Sequence, residues 1–141
     1  MLNIYGPYED MVPFWEALSC KSFLKKNNLI VGGDLNFSLE TIEVCGPRVR
    51  DDPLTDFFQH FILEAGLLDV AAIKLSTTWR NKRTWEDLIV NILDHFLIAD
   101  HLLHQPLHIR QWIGNGGDFN HSPIFLDLSR WPEQTPNPFE K

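Results

Sequence analysis

Hydrophobic positions change period along the chain, from helical spacing in the first half to the spacing of strands in the second. Two stretches, residues 9–26 and 53–65, place large apolar side chains on one side of a helix and charged side chains on the other. Pro13 fits the first turn of the first helix, Pro53 opens the second, and Gly66 ends it. The pattern therefore predicts two amphipathic helices.

Short apolar or alternating runs predict the strands. Two are expected early in the chain, over residues 1–5 and 29–31, the second ending at two glycines. The second half is predicted to hold four more, over residues 77–80, 93–98, 107–112 and 124–128. Residues 36–52 are predicted to be a loop, and residues 100–104 a short helical turn. This order of elements predicts an α/β (α+β) fold with one mixed sheet and helices on one face.

Length and composition favour one globular domain. The chain has 141 residues, of which 44% are hydrophobic, enough to bury a core. No apolar run reaches the about 18 residues that a membrane helix needs, and no signal peptide opens the chain, so an intracellular protein, nuclear or cytoplasmic, is expected. The domain is predicted over residues 1–129 and a Pro-rich flexible tail over 130–141.

Charge argues against a non-specific grip on nucleic acid, because the net charge is −7. Basic side chains do cluster at Arg80, Lys82 and Arg83. Solvation of this cluster is the favoured interpretation and contact with phosphates the alternative. For the neighbouring Trp79, a place in the core is favoured over stacking on a base.

The most informative segment is residues 28–37, where a buried apolar run leads into Gly32, Gly33, Asp34 and Asn36. In an extended chain the side chains of Asp34 and Asn36 point to the same side. A carboxylate and an amide at the end of a buried strand commonly serve a hard cation or a phosphate. A simple turn between strand and loop is the alternative interpretation.

Five short motifs follow one another along the chain. They are Asn3-Ile4-Tyr5-Gly6-Pro7, Gly33-Asp34-Leu35-Asn36, Thr77-Thr78-Trp79-Arg80, Ile92-Leu93-Asp94-His95-Phe96-Leu97 and Asn120-His121-Ser122-Pro123-Ile124. In this order the chain resembles the endonuclease/exonuclease/phosphatase superfamily, especially the apurinic-type endonuclease of LINE-like plant retroelements. Residues 50–58 and 66–69 are also similar to the plant versions. The resemblance implies the second half of a four-layer α/β/β/α sandwich, with DNA as substrate and Mg²⁺ as cofactor.

The same resemblance implies a catalytic role for five residues. Asp34 would position the attacking water, Asn36 would bind a phosphate oxygen, and Tyr5 would hydrogen-bond to the phosphate. Asp94 would orient the imidazole of His121. A carboxylate paired with an imidazole suits this chemistry because it orients the ring and supports proton transfer.

Substrate contacts and metal binding follow from the same comparison. Asn3, Trp79 and Arg80 would bind substrate, while the family's final acid, which lies beside the metal, corresponds to Asn120 here. The family's principal magnesium ligand belongs to the first half of its domain. Asp34 is then the one weak metal ligand of this chain.

A further departure weakens the expected catalysis, because Ile92 stands where the family usually has arginine. The expected metal site has only Asp34 and Asn36, with Asp94 at some distance from them. Too few oxygens would then converge, and Mg²⁺ binding weaker than about millimolar is expected.

The predicted function is therefore a truncated, inactive remnant of a Mg²⁺-dependent endonuclease of retroelement type. The alternatives are a functional phosphoesterase or phosphatase of the same superfamily, and a non-catalytic interaction module. The sheet face that a first half would cover is expected to be apolar, which predicts self-association through that face.

Two other possible metal-binding motifs lack the residues or the continuous helix that they would need. A calcium loop beginning at Asp34 would need Gly and Glu where Leu39 and Cys45 stand. A zinc site at residues 101–108, which hold three histidines, is interrupted by a proline, so surface histidines are expected. His60 and His95 lie in apolar stretches and are expected to be structural.

Overall fold

A computed structural model describes residues 1–47, 52–74 and 76–131. Within these residues the chain forms two α-helices, α1 (Met11–Ser19) and α2 (Thr55–Glu64). The strands are β1 (Leu2–Asn3), β2 (Ile30–Asp34), β3 (Val44–Cys45), β4 (Leu67–Asp69), β5 (Trp79–Arg80), β6 (Val90–Asn91), β7 (Asp94–Ala99), β8 (Leu107–Ile113) and β9 (Ile124–Arg130). Single 3₁₀ turns lie at Ser22–Lys25, Thr41–Glu43, Trp85–Asp87 and Asp100–His104. The fold is α+β, as predicted.

Three sheets organise these strands. The largest has the order β1-β2-β7-β4, with β1 parallel to β2 and the other pairs antiparallel, so it is mixed. Strands β3, β6 and β5 form a second, antiparallel sheet, and β8 and β9 form a hairpin. In the mixed sheet β2 and β7 are the central pair, with Val31 opposite Leu97.

Both helices pack on the same face of the mixed sheet. Val31 and Leu97 on that face belong to one buried cluster with Trp15 of α1 and Phe58 of α2. Phe37, just after β2, stacks on Phe58 with 3.9 Å between ring centroids and meets the edge of Trp15 at 5.2 Å. The prediction of a mixed sheet with helices on one face is therefore confirmed.

The opposite face of β7 carries Phe96 and Ile98, and both side chains are buried. Gly32 leaves room for the Phe96 ring beside β2, because a Cβ there would come within 2.5 Å of that ring. Strand β9 also lies close to β7. The apolar face is therefore not open at β7, and self-association through it stays a prediction.

Two predicted boundaries were wrong. The helix predicted over residues 9–26 ends at Ser19, and the apolar Leu24 is buried from a separate 3₁₀ turn. The strand predicted over residues 29–31 continues through Gly32 and Gly33, because β1 and β7 pair with it on both sides. At Gly33, where φ is +135°, a side chain would collide with the carbonyl of Ile4 on the neighbouring segment.

Short paired segments account for the other differences. The region predicted as a loop over residues 36–52 contains a 3₁₀ turn and β3, and β6 was not predicted. Strand β9 extends to Arg130, while residues 132–141 of the predicted tail and residues 50 and 51 of the plant-like segment lie outside the described residues. Of the described helices, none combines the length and apolar character needed to cross a membrane.

Candidate active site

Two aspartates meet where β2 ends and β7 begins. Asp34 is the last residue of β2, Asp94 is the first of β7, and the two are directly opposite in the antiparallel register. Opposite residues of such strands hold their Cβ atoms about 4.5–5.5 Å apart. Their side chains are 11% and 13% exposed, respectively. The expectation that Asp94 lies at some distance from Asp34 was therefore wrong, since it ignored the strand register.

His121 reaches these aspartates because residues 120–122 run beside β5. The N–H of Arg80 donates to the carbonyl of Asn120 at 2.9 Å, and the N–H of Ser122 donates to the carbonyl of Thr78 at 2.7 Å. Between them, Trp79 and His121 form an antiparallel bridge. The backbone of this irregular segment is thus fixed on both sides of the histidine.

The imidazole of His121 lies between the two carboxylates. Its Nδ1 lies 2.9 Å from Oδ2 of Asp94, a hydrogen bond in which the ring donates. Its Nε2 lies 3.6 Å from Oδ2 of Asp34, within ion-pair range but too long for a hydrogen bond. The structure therefore brings together three of the five residues with implied catalytic roles.

Asn36 is held beside them in a left-handed conformation, with φ of +57°. Asparagine tolerates this region better than most residues. Its Nδ2 donates to the carbonyl of Gly6 at 2.5 Å, and its backbone N–H donates to Oδ1 of Asp34 at 3.1 Å. The two contacts fix the amide of Asn36 and one oxygen of Asp34 relative to the Gly6 turn.

A cleft of about 550 Å³ opens at this point. Asp34, Asn36 and His121 line it together with Tyr5 and Trp79. Tyr5 is 77% exposed. Trp79 is half-buried, so it is only partly in the core, and stacking of its ring on a base stays a prediction. Among the described residues that line the cleft there is no Lys or Arg. A phosphate in the cleft would therefore need a bound cation to balance its charge.

Three other predicted residues lie outside this lining. Asn3 is exposed on β1, with its Oδ1 close to Gly33. The guanidinium of Arg80 donates to the carbonyl of Gly117 at 2.7 Å, and Asn120 is exposed. Substrate contact by Asn3 or Arg80 thus stays a prediction.

Thr78 is the supporting residue that sequence reasoning missed. Its side chain is buried, and its Oγ1 accepts hydrogen bonds from the N–H groups of Leu93 and Asp94 at 3.0 and 3.1 Å. This hydroxyl fixes the start of β7 and hence the backbone of Asp94. Its position within the Thr77–Arg80 motif was the available signal, but hydroxyl-to-backbone contacts are not visible in a sequence.

Thr78→Val is expected to lower the free energy of unfolding by about 1–3 kcal/mol, because two N–H groups lose their acceptor in a buried place. Thr78→Ser keeps the hydroxyl and should cost clearly less. Urea denaturation followed by far-UV circular dichroism measures both variants. Equal losses for valine and serine would show that the methyl group, and not the hydroxyl, holds this junction.

Burial raises the pKa of Asp34, and the charge of Asp94 raises it further. The N–H of Asn36 and the imidazoles of His121 and His95 act in the opposite direction without cancelling these effects. Keeping the Asp34 carboxylate ionised beside Asp94 in a buried place lowers the free energy of unfolding. Carboxylates with raised pKa values of this kind are common at functional sites.

Asp34→Asn is therefore expected to raise the free energy of unfolding near neutral pH, by about 0.5–2 kcal/mol. Above the folded-state pKa of Asp34 both states are ionised and the folded chain carries the cost of burial. As the pH falls through that pKa, the folded chain takes up the proton first and the cost disappears. The gain should therefore shrink between about pH 7 and about pH 4.

Urea denaturation in the presence of a chelator tests this effect of Asp34→Asn. The exposed Asp118 offers a matched control, Asp118→Asn, that should change stability little. A destabilised Asp34→Asn, or a gain that persists at acidic pH, would contradict the prediction.

Asp34, Asp94 and His121 each offer one ligand atom, and these atoms lie within 4.8 Å of one another. Two carboxylates at this spacing can hold a divalent cation, but the imidazole lies between them and competes for the same oxygens. Within the described residues, the three histidines of 101–108 form no comparable group. The geometry is thus compatible with weak cation binding.

No protein-family model matches this chain, and no curated protein matches it.

Proposed function

We propose that this chain carries part of the active site of a Mg²⁺-dependent, phosphodiester-cleaving endonuclease of retroelement type, and that the chain alone does not cut. The observation that carries the proposal is the imidazole of His121 placed between the carboxylates of Asp94 and Asp34. The order of the five sequence motifs supports a nuclease over other kinds of hydrolase.

The Asp94–His121 pair suits proton transfer. Because Nδ1 of His121 donates to Asp94, Nε2 is directed to the side of Asp34, where one water on the cleft side can hydrogen-bond to both Nε2 and the second carboxylate. Asp34 has its Oδ1 fixed by the N–H of Asn36, so its Oδ2 is the oxygen available to that water. A water held in this way is oriented for attack on a phosphorus atom in the cleft.

Mg²⁺ would be held by Asp34 and Asp94, and when bound it would stabilise the negative charge that develops on the phosphate. These two carboxylates fit a hard cation, but they are fewer than the oxygen ligands that Mg²⁺ prefers, and waters must supply the rest. Asn120 adds no charge where the family has an acid. Weak metal binding and the absence of cationic side chains among the described lining residues together support an inactive chain.

The aromatic rings at the cleft favour a nucleic acid over a small phosphorylated molecule. Tyr5, Tyr8 and Trp79 all line the cleft, and aromatic side chains stack on bases. DNA is the substrate class that the motif resemblance supports. A DNA substrate would place the protein inside the cell, in the nucleus or cytoplasm.

The test is complementation. The chain alone, given supercoiled or abasic-site DNA and Mg²⁺, is expected not to nick. Fusion to the first half of a related active nuclease, together with Asn120→Asp, should restore nicking by returning both missing acids. Neither change alone should suffice, because residues that act as one catalytic unit are strongly non-additive.

Asp34→Asn in the restored protein is the control, since it removes the charge and keeps the shape. A folded, doubly changed protein that never nicks would overturn the proposal. Nicking that survives Asp34→Asn would overturn it as well, because the activity would then belong to the added half.

A further inference from the structure

A second group of ionisable side chains lies on the other face of β7 from Asp94. It consists of Glu43, Asp69 and His95, here called the His95 cluster. Asp94 and His95 are consecutive on the strand, so their side chains point to opposite faces. The cluster is thus separate from the candidate active site and has no part in the proposed hydrolysis.

His95 is 1% exposed and uses both ring nitrogens. Its Nε2 donates to the carbonyl of Phe37 at 3.2 Å, and its Nδ1 lies 3.1 Å from Oδ1 of Asp69. A ring that donates one N–H to a backbone carbonyl and directs the other nitrogen to acidic ligands has the arrangement typical of a metal-binding histidine. His60, in contrast, is exposed on α2, so only one of the two histidines predicted to be structural is buried.

The ligand atoms of the cluster converge. One oxygen from Glu43, one from Asp69 and one nitrogen of His95 lie within 4.8 Å of one another. Glu43 is largely buried, with Oε2 accepting from the N–H groups of Leu39 and Glu40. These contacts fix the carboxylate of Glu43 on the turn that carries it.

Gln111 of β8 supplies an independent observation. It is 4% exposed, and its Oε1 has no hydrogen-bond donor. Gln111 lines the same cavity of about 150 Å³ as Glu43, Asp69 and His95. Buried acceptors are normally satisfied, so this oxygen indicates a missing donor or cation in the cavity.

The balance of charge within the His95 cluster favours a bound divalent cation over protonation of His95 alone. Glu43 and His95 are buried and Asp69 is exposed at the edge of the cluster. Two carboxylates with a protonated imidazole leave one net negative charge there, whereas two carboxylates with a neutral imidazole and a dication leave none.

We propose that this cavity binds one divalent transition metal of the zinc class, through Nδ1 of His95, the carboxylates of Glu43 and Asp69, and Oε1 of Gln111. One imidazole and three oxygen donors suit Zn²⁺, whereas Mg²⁺ prefers oxygen alone. The four ligands come from the 3₁₀ turn Thr41–Glu43 and from β4, β7 and β8. The metal would link these elements and have a structural role.

The experiment uses the full chain, freed of metal with a chelator, with Asp34→Asn to disable the other acidic group. Titration calorimetry with Zn²⁺ should give one saturable site per chain. Binding should release a proton, since the metal replaces the proton on Nδ1 of His95. Excess Mg²⁺ should not displace the zinc.

Gln111→Leu keeps the size of the side chain and removes its oxygen, so it should weaken zinc binding by about tenfold or more. Gln105→Leu, at an exposed glutamine, is the matched control and should leave the affinity unchanged. A second measurement needs no ligand substitution: ¹⁵N NMR of the imidazoles should show Zn²⁺ moving the Nδ1 resonance of His95.

Three results would overturn the proposal. One is the absence of a saturable zinc site, which would leave an ordered water as the partner of Gln111. Another is equal zinc affinity in Gln111→Leu and Gln105→Leu. The third is a ¹⁵N spectrum in which zinc shifts other histidines and leaves His95 unchanged.

Discussion

Phe37→Ala is expected to lower the free energy of unfolding by about 3–5 kcal/mol, the cost typical of removing a fully buried aromatic ring. The Phe37 side chain is 0% exposed. It stacks on Phe58 and touches the edge of Trp15, so its removal opens a cavity between both helices and the sheet. Its ring also lies 5.6 Å from that of His95. The surroundings of the His95 cluster should therefore loosen as well.

Urea denaturation measured by tryptophan fluorescence and circular dichroism gives this free energy. Phe119→Ala is the matched control, because Phe119 is exposed and its removal should change stability by less than about 0.5 kcal/mol. A loss at Phe37 below about 1.5 kcal/mol would mean that the core closes over the gap, and the packing described here would be wrong.

The fold could be predicted where a segment carries its own signal. The helices and β7 have long apolar patterns; α2 and β7 were predicted within a few residues of their observed positions, whereas α1 ends at Ser19 and not at Lys26. Strands β3 and β6 have two residues each and exist only through pairing, β3 with β6 and β6 with both β3 and β5. No local sequence pattern predicts such strands, since their stability comes from the strands they pair with and not from their own composition.

Phe37 illustrates the same limit in the core. In the sequence Phe37 directly follows the Gly33–Asn36 motif. Nothing in that local sequence distinguishes a ring that faces substrate from a buried one. The left-handed turn at Asn36 directs the chain back over the sheet, and the ring enters the space between α1 and α2. Turn geometry of this kind depends on the contact between Asn36 and Gly6, which are 30 residues apart.

The residues of the candidate site could be predicted from the sequence, but the distances between them could not. Asp34, Asp94 and His121 were found by motif order, yet only the register of β2 against β7 shows that the two carboxylates are adjacent. The His95 cluster was missed because its three members come from three separate segments. A signal was available in Gln111, a polar residue on the strand face that otherwise carries Ile109 and Ile113.

In the complemented, nicking form of the protein, His121→Ala is expected to lower kcat by about 10²- to 10⁴-fold, the usual contribution of a positioned acid–base group. Asp94→Asn should lower it by a similar factor, because the amide no longer selects the ring orientation in which Nε2 is directed to the side of Asp34. Single-turnover nicking at saturating Mg²⁺ measures both effects on the chemical step.

The double change separates two roles for Asp94. If, at saturating Mg²⁺, Asp94 acts mainly by orienting His121, then adding Asp94→Asn to His121→Ala should cost less than about tenfold more, because the second change removes a partner that is already without function. Asp127→Asn, which breaks the exposed pair with Arg110, is the matched control and should leave kcat unchanged. Fully multiplicative losses at saturating Mg²⁺ would instead assign Asp94 to the metal, because the carboxylate would then act on the phosphate without the imidazole.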